Sequence, residues 1–121
     1  MLMVDARRGP SQIHGLGLIA HQFIPAGTVV WKFQLYFDQL IPPDMVERLS
    51  PPAKEQFKLY ASFDDEDGYY ILSGDDDRFT NHSENPNTEV RGSTTIALRD
   101  IADGEEITIN YGDIGLHPFS S

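Results

Sequence analysis

The 121-residue sequence contains no cysteine. Disulfide bonds and zinc sites built on thiolates are therefore excluded, and the composition suits a reducing compartment. No apolar run approaches the roughly 20 residues that a membrane-spanning helix needs, so no membrane partner is expected. Residues 1–8 also lack the apolar segment of a secretory signal peptide. The sequence predicts a protein that is not secreted and is cytoplasmic, or nuclear if its host or target is eukaryotic.

Basic residues are scarce. Nine Lys and Arg stand against nineteen Asp and Glu, which gives a formal net charge of −10. Because this field repels phosphates, direct binding of nucleic acid is not expected. An acidic surface favours a cationic partner, such as a Lys- and Arg-rich protein or peptide. The alternative is that the charge only keeps a small protein soluble.

The rest of the composition is typical of a globular protein. Hydrophobic residues make up 40% of the chain, which includes seven Phe, five Tyr and one Trp. A chain of this length can bury roughly two-thirds of the surface that its unfolded form exposes. We therefore expect one domain over residues 1–121.

Short apolar segments between Gly and Pro turns favour strands over most of the chain. One such sequence pattern occurs twice. Ile96–Ile107 matches Leu18–Val29, and both segments have the order strand, Ile-x-x-Gly turn, strand. Further strands are predicted at Met3–Arg7 and Tyr69–Leu72. The pattern indicates a mainly β domain.

The helical region is predicted in the middle of the chain. Asp44–Leu49 is expected to form a short helical turn after two prolines. Ser50 then caps a helix that has Pro51 and Pro52 in its first turn. The acidic run Asp64–Gly68 that follows is predicted to be a solvated loop rather than a calcium site, because it lacks the spacing of a calcium-binding loop.

Two polar stretches are expected to meet and form the functional site. Arg78–Asn87 is rich in residues that bond to or stiffen their own backbone, which predicts an ordered loop. Asn110–Asp113 follows an alternating strand near the C-terminus. A third segment, His14–Ala20, places two glycines before an apolar strand; these glycines predict either a plain bend or a loop that contacts a ligand.

The residue types in these stretches limit the chemistry. No Ser lies in a nucleophile-elbow context, and the four His have no metal-ligand spacing, so neither covalent hydrolysis nor a metal site is expected. What remains is Asn81, His82 and Tyr111, a set suited to holding a small cofactor and positioning a reacting group.

Several motifs resemble those of SET-domain protein lysine methyltransferases. The resemblance runs from about Val4 to Asp113. The motifs that carry it are His14-Gly15-x-Gly17-x-x-Ala20, Tyr70-Ile71-Leu72-Ser73-Gly74, Arg78-Phe79-x-Asn81-His82-Ser83-x-x-Pro86-Asn87 and Gly104-Glu105-Glu106-Ile107-Thr108-x-x-Tyr111-Gly112.

The resemblance implies several small curved sheets and a C-terminal segment threaded through the central loop as a pseudoknot. It implies S-adenosylmethionine as cofactor, S-adenosylhomocysteine as product and a lysine side chain as acceptor. The Asn81 side chain would bond the amino acid end of the cofactor, the His82 backbone would hold its adenine edge, and Tyr111 would be catalytic. The other implied cofactor contacts are Gly15, Leu16, Gly17, Arg78 and Phe79.

The lysine channel would be lined by Tyr70, Tyr111 and Phe119, although packing within a core is the alternative for Tyr70. Asn81, His82 and Tyr111 could likewise serve only to satisfy buried groups or fill a core.

The chain departs from the family at two places. Many members have a Cys after Asn-His-Ser, which joins a C-terminal zinc module, whereas this chain has Glu84 and no such module. The segment after Gly112 is also short, so that Phe119 or a second subunit of a homodimer would have to close the channel. The sequence therefore predicts a lysine methyltransferase acting on a histone or another basic protein. The alternative is a SET-like binding module for basic peptides that transfers nothing.

Overall fold

The computed structural model of the protein describes residues 1–64 and 67–114. Over these residues it has ten short strands, two helices and two single turns of 3₁₀ helix. The strands are β1 (Ala6–Pro10), β2 (Leu16–Ala20), β3 (Val29–Lys32), β4 (Gln39–Ile41), β5 (Ser62–Asp64), β6 (Tyr69–Leu72), β7 (Asn81–His82), β8 (Thr88–Arg91), β9 (Thr94–Ala97) and β10 (Glu106–Ile109). The helices are α1 (Pro43–Glu47) and α2 (Pro51–Tyr60), and the 3₁₀ turns are Asp76–Phe79 and Tyr111–Ile114.

The strands form three small sheets. Their orders are β1-β2-β10-β7, β3-β9-β8 and β4-β6-β5. The pairs are antiparallel except for β7 and β10, which run parallel. The prediction of a mainly β fold with several small sheets and little helix is confirmed.

The repeated phrase forms one symmetric unit. Ile24 and Ile101 each donate their backbone N–H to the carbonyl of the other, at 2.8 Å in both directions. The Gly27 N–H donates to the Ala97 carbonyl, and the Gly104 N–H donates to the Ala20 carbonyl in the same way. The two copies thus pair about a local two-fold axis. This pairing makes Ile24 equivalent to Ile101. The alignment of Ile96–Ile107 with Leu18–Val29 places Phe23 opposite Ile101, so the structure shifts that alignment by one residue.

This unit contains the larger of two apolar cores. The isoleucines at its centre, Ile24 and Ile101, are fully buried. The buried members of this core are Ala6, Leu18, Ala20, Ile24, Val30, Ala97, Ile101 and Ile107. A second core between the helices and β6 consists of Val46, Phe57, Ala61 and Tyr70.

α2 begins where the sequence places it, and α1 lies at Pro43–Glu47 instead of the predicted Asp44–Leu49. The Ser50 hydroxyl accepts the Ala53 N–H at 3.4 Å and caps α2, which has Pro51 and Pro52 in its first turn. α2 then buries Phe57 in the second core. Neither helix in the described ranges is long and apolar enough to cross a membrane.

The first strand lies later than predicted, at Ala6–Pro10 instead of Met3–Arg7. Because β1 is an edge strand, Pro10 can continue it although proline has no N–H to donate to a second neighbour. The three-residue strands β4 and β5 were not predicted, since segments of that length carry no alternation to detect. β5 includes Asp64, which the sequence assigned to the acidic loop.

Asp38 fixes the turn that leads into the central polar stretch. Its carboxylate is almost fully buried and accepts the Gln34 N–H at 2.8 Å and the Gly74 N–H at 3.0 Å. It also pairs with the ammonium group of Met1 at 2.7 Å. A buried carboxylate is tolerated only when it is paired in this way, so these bonds hold the segment before Arg78 in one place.

Candidate functional site

A cavity of about 170 Å³ lies where the predicted segments meet. Its wall combines the loop after β1, the end of α2, the first 3₁₀ turn with β7, and the start of the second 3₁₀ turn. The residues that line it are His14, Leu16, Leu59, Tyr60, Arg78, Phe79, Thr80, Asn81 and Tyr111.

Half of the ten predicted site residues line this cavity. Of the implied cofactor contacts, Leu16, Arg78, Phe79 and Asn81 line it, together with Tyr111. The two glycines of the N-terminal motif flank Leu16 in the chain, and His82 follows Asn81 in β7. The structure therefore brings the two polar stretches and the glycine motif to one place, as the sequence predicted.

Tyr70, a second channel candidate, does not lie here. Tyr70 is 7% exposed and packs edge-on against Phe57, with ring centroids 5.4 Å apart, and against Phe63 at 5.0 Å. It does not line the cavity, and burial raises its pKa above the ordinary value. Its position is the core packing that the sequence left as the alternative. Phe119 lies outside the described residues.

The parallel pairing of β7 with β10 places the central stretch beside Tyr111. Thr108 pairs with Asn81 and Ile109 pairs with His82, and the Ser83 N–H donates to the Ile109 carbonyl at 2.8 Å. Asn87 contacts β10 again farther along the same stretch. Such contacts on both sides of the loop are what a pseudoknot requires, and the threading itself stays a prediction.

The Asn81 side chain bonds within the protein. Its Nδ2 lies 3.1 Å from each of four oxygens, namely Ser11 Oγ, the His14 and Leu16 carbonyls and Glu106 Oε2. Its two N–H protons can serve only two of these acceptors at a time. Asn81 therefore joins β7 to the loop that carries the glycine motif, which is the kind of structural role that the sequence left as the alternative for this residue.

The His82 ring joins Tyr111 to Glu84. Its Nδ1 accepts the Tyr111 backbone N–H at 3.0 Å, and its Nε2 lies 2.9 Å from Glu84 Oε1. Since Nδ1 accepts a hydrogen bond, the neutral ring carries its proton on Nε2 and donates a hydrogen bond from there to the carboxylate. The glutamate that replaces the family's cysteine thus bonds the histidine behind Tyr111.

The Tyr111 side chain is held at both ends. Its hydroxyl donates to the Thr80 carbonyl at 3.1 Å, and its ring lies 5.1 Å from the His82 ring, centroid to centroid. Burial raises the pKa of Tyr111 above its ordinary value, which a hydrogen bond from the His82 backbone partly opposes. The hydroxyl is therefore protonated at neutral pH, and its proton is committed to Thr80.

Thr80 is itself fixed by the preceding 3₁₀ turn. Its hydroxyl donates to the Asp77 carbonyl at 2.6 Å. Burial raises the pKa of the Asp77 carboxyl to about 6, against the opposing effect of the Ser73 hydroxyl that donates to it at 3.0 Å. The acceptor of the Tyr111 proton is thus part of a rigid turn.

Sequence reasoning missed Tyr60, Thr80, Ser11 and Glu106. Tyr60 lines the cavity and packs edge-on against Phe79, with centroids 5.2 Å apart. The sequence assigned Tyr60 no role at the site. Tyr60 and Arg78 also line a larger apolar groove of about 830 Å³ between β4 and the helices. We assign the site to the smaller cavity because Asn81, Tyr111 and the glycine motif meet there.

Replacing Gly17 with alanine is expected to disturb this site. A Cβ at Gly17 would lie 2.5 Å from Glu106 Oε2 and 3.1 Å from the Ser11 Cβ, so the Glu106 carboxylate would have to move away. We expect Gly17→Ala to lower the free energy of unfolding by about 1–3 kcal/mol, measured by urea denaturation. Gly104→Ala is the control. A Cβ at Gly104 would meet open space, but φ is +90° there, so this variant measures the effect of backbone strain without crowding. A Gly17→Ala protein as stable as the wild type would contradict the close approach.

Within residues 1–64 and 67–114, no group of three or more His, Asp or Glu side chains is placed to hold a metal ion.

Comparisons with known proteins agree with this geometry. The family model described as SET domain matches residues 15–112. No curated protein matches the chain. Among solved structures, an apo ctPRC2 with two mutations in Ezh2 is 25% identical with a TM-score of 0.74, and covers 92% of this chain. The structure of ctPRC2 in an autoinhibited conformation bound to S-adenosylmethionine is 25% identical with a TM-score of 0.73, and covers 94%.

A third structure, Chaetomium thermophilum Polycomb Repressive Complex 2 bound to an inhibitor, is 24% identical with a TM-score of 0.73, and covers 92% of this chain. This chain spans only 15% or 16% of the length of these three chains. The SET domain model, in contrast, matches nearly the whole sequence from the glycine motif to Gly112. The chain belongs to the SET domain family.

Proposed function

We propose that this protein transfers a methyl group from S-adenosylmethionine to a lysine side chain of a basic protein. The observation that carries the proposal is the fixed Tyr111 hydroxyl, which lies on the same cavity as Leu16, Phe79 and Asn81. Family membership and the likeness to a ctPRC2 structure that binds S-adenosylmethionine support the choice of cofactor.

The residues at the cavity fit one part of this cofactor. Leu16, Phe79 and Tyr60 offer apolar and aromatic surface, and Gly15 beside Leu16 has open space where a side chain would be. A volume of about 170 Å³ is smaller than the ~300–1,000 Å³ of most small-molecule sites. The described residues would therefore hold the methionine end, with Leu16 and Asn81 nearest to it, and leave the rest of the ligand against other surface.

The chain's own residues would act by positioning. S-adenosylmethionine, when bound, supplies an electrophilic methyl group on its sulfonium. In-line displacement at such a carbon needs no strong general base, and gains most from orientation and from exclusion of water. The Tyr111 hydroxyl donates its hydrogen bond to the Thr80 carbonyl, and its oxygen would act as an acceptor toward the lysine amine or the polarised methyl group. Apolar walls would favour the neutral amine by lowering the lysine pKa.

The charge supports a basic protein as substrate. A net charge of −10 attracts Lys- and Arg-rich segments and repels nucleic acid. The two ctPRC2 structures that are 25% identical to this chain make a histone substrate and a nuclear location candidates. A homodimer is a further candidate, because a second subunit could supply cavity wall that the described residues do not.

A SET-like module that binds basic peptides without transfer is the second candidate. The observation that favours it is the engagement of the Asn81 amide by protein oxygens, which leaves that group less available to a cofactor. Binding without transfer would require neither the Tyr111 hydroxyl nor an enclosed lysine channel.

Transfer of labelled methyl from S-adenosylmethionine to histones and to total lysate protein tests the proposal. The expected result is label on lysine, with cofactor binding seen by calorimetry. Cofactor binding without label on any basic protein would favour the binding module. If neither cofactor binding nor labelled lysine is found, the proposed cofactor and reaction are overturned.

A further inference from the structure

We propose that Glu106 is a positioning residue that holds the glycine-motif loop against Asn81, and thereby sets the shape of the cofactor wall. This inference rests on the proposed function. It concerns a side chain that does not line the cavity and that no motif singled out for a role.

Glu106 contacts both sides of the junction. The Ser11 hydroxyl donates to its carboxylate at 2.8 Å to Oε1 and 2.9 Å to Oε2. Asn81 Nδ2 lies 3.1 Å from Oε2. A single half-buried carboxylate therefore accepts from the loop that precedes β2 and from β7. Hydrogen bonds to a charged acceptor are stronger than neutral ones, which suits this group to the task.

Ser11 extends the effect of Glu106 into the loop. Its Oγ accepts the backbone N–H groups of Ile13 at 2.9 Å and His14 at 3.2 Å while it donates its own proton to the carboxylate. The Ser11 N–H donates to the Gly15 carbonyl at 2.9 Å. The Ser11 hydroxyl has only one proton, and it donates that proton to Glu106. Its lone pairs are thereby oriented to accept the loop's N–H groups, so Glu106 determines how Ser11 orders the loop.

The sequence leaves room for this carboxylate. Gly17 lies so close that any Cβ there would meet Glu106 Oε2 at 2.5 Å. The second glycine of the motif is thus needed for the approach of Glu106, in addition to any contact with a ligand. His14 and Leu16, on the same loop, line the cavity, so movement of Glu106 would move the wall.

The neighbouring glutamate provides a matched control. Glu105 Oε2 accepts Asn87 Nδ2 at 3.1 Å and its Oε1 accepts the Ala102 N–H at 3.0 Å. Its bonds are of similar number and length and lie away from the cavity, one to Asn87 just before β8 and one to Ala102 in the turn before β10. Replacing either glutamate by glutamine removes one charge and puts a donor in place of one acceptor.

The experiment compares Glu106→Gln and Glu105→Gln with the wild type by calorimetry with S-adenosylmethionine and by thermal unfolding. We expect Glu106→Gln to weaken cofactor binding about tenfold, since it loses charge-assisted bonds that order the wall. Glu105→Gln should bind the cofactor within about twofold of the wild type. Its melting temperature should fall at least as much as that of Glu106→Gln. Unchanged binding in Glu106→Gln, or equal weakening in both variants, overturns the inference.

A milder variant and a readout without cofactor complete the test. Ser11→Ala should weaken binding as well, and adding it to Glu106→Gln should cost little more, because the two side chains act through one contact. The Asn81 side-chain amide resonances should shift in Glu106→Gln and stay in place in Glu105→Gln. Additive effects on binding or unshifted resonances would overturn the role. If the wild type binds no cofactor, the proposed function fails and this inference fails with it.

Discussion

Tyr111→Phe is expected to lower the rate of methyl transfer by roughly 10²- to 10³-fold, the usual loss when one oriented polar group at a reacting centre is removed. The ring would keep its place against His82, at a centroid distance of 5.1 Å, so the shape of the cavity would hardly change. Only the hydroxyl bonded to Thr80 at 3.1 Å is lost. The affinity for S-adenosylmethionine, measured by calorimetry, should stay within about twofold of the wild type.

Tyr69→Phe is the matched control, since Tyr69 is an exposed strand residue that does not line the cavity. It makes the same chemical change and should leave both rate and affinity unaltered. A Tyr111→Phe protein with full turnover would show that the hydroxyl has no part in the reaction. Loss of cofactor affinity in step with the loss of rate would assign Tyr111 to binding instead of catalysis.

The chain's local signals were sufficient for many of its elements. β6 lies at the predicted residues Tyr69–Leu72, and α2 begins after Ser50, because side-chain alternation and helix caps are short-range features. The repeated Ile-x-x-Gly turn was visible for the same reason. Its pairing with itself was not visible, since the partners Ile24 and Ile101 are brought together only by the fold.

The two tyrosines Tyr60 and Tyr70 show where residue type misleads. The motif implied Tyr70 as a channel residue, with core packing as the alternative, and the structure packs it between Phe57 and Phe63. Tyr60 is the last residue of α2, and it lines the cavity and packs against Phe79. Which face of a strand or helix turns toward a site depends on packing between elements, and one sequence does not specify that packing.

The partners of Asn81 show the limit most clearly. The motif predicted that Asn81 matters, but its contacts Ser11 and Glu106 lie 70 and 25 positions away. Contacts of that range have no spacing rule, so the Ser11–Glu106–Asn81 junction could be found only in the folded chain.

Asn87→Ala is expected to destabilise the protein by about 3 kcal/mol, because it removes both partners of a buried stretch of β10. Asn87 is 1% exposed; its Oδ1 accepts the Thr108 N–H at 2.9 Å and its Nδ2 donates to the Glu106 carbonyl at 2.8 Å. Alanine would leave these two backbone groups unsatisfied, and each costs roughly 1–3 kcal/mol when buried. Urea denaturation measures the loss.

Asn85→Ala provides the comparison within the same loop. Asn85 is exposed, and its backbone N–H keeps its bond to Ser83 Oγ at 3.0 Å whatever the side chain is. We expect a change within about 0.5 kcal/mol for this variant. Because β10 leads directly into Tyr111, Asn87→Ala should weaken cofactor binding as well, whereas Asn85→Ala should not. Equal stability of the two variants would mean that Asn87 does not hold β10 within the central loop, and that its share of the contacts behind the pseudoknot prediction contributes nothing to the fold.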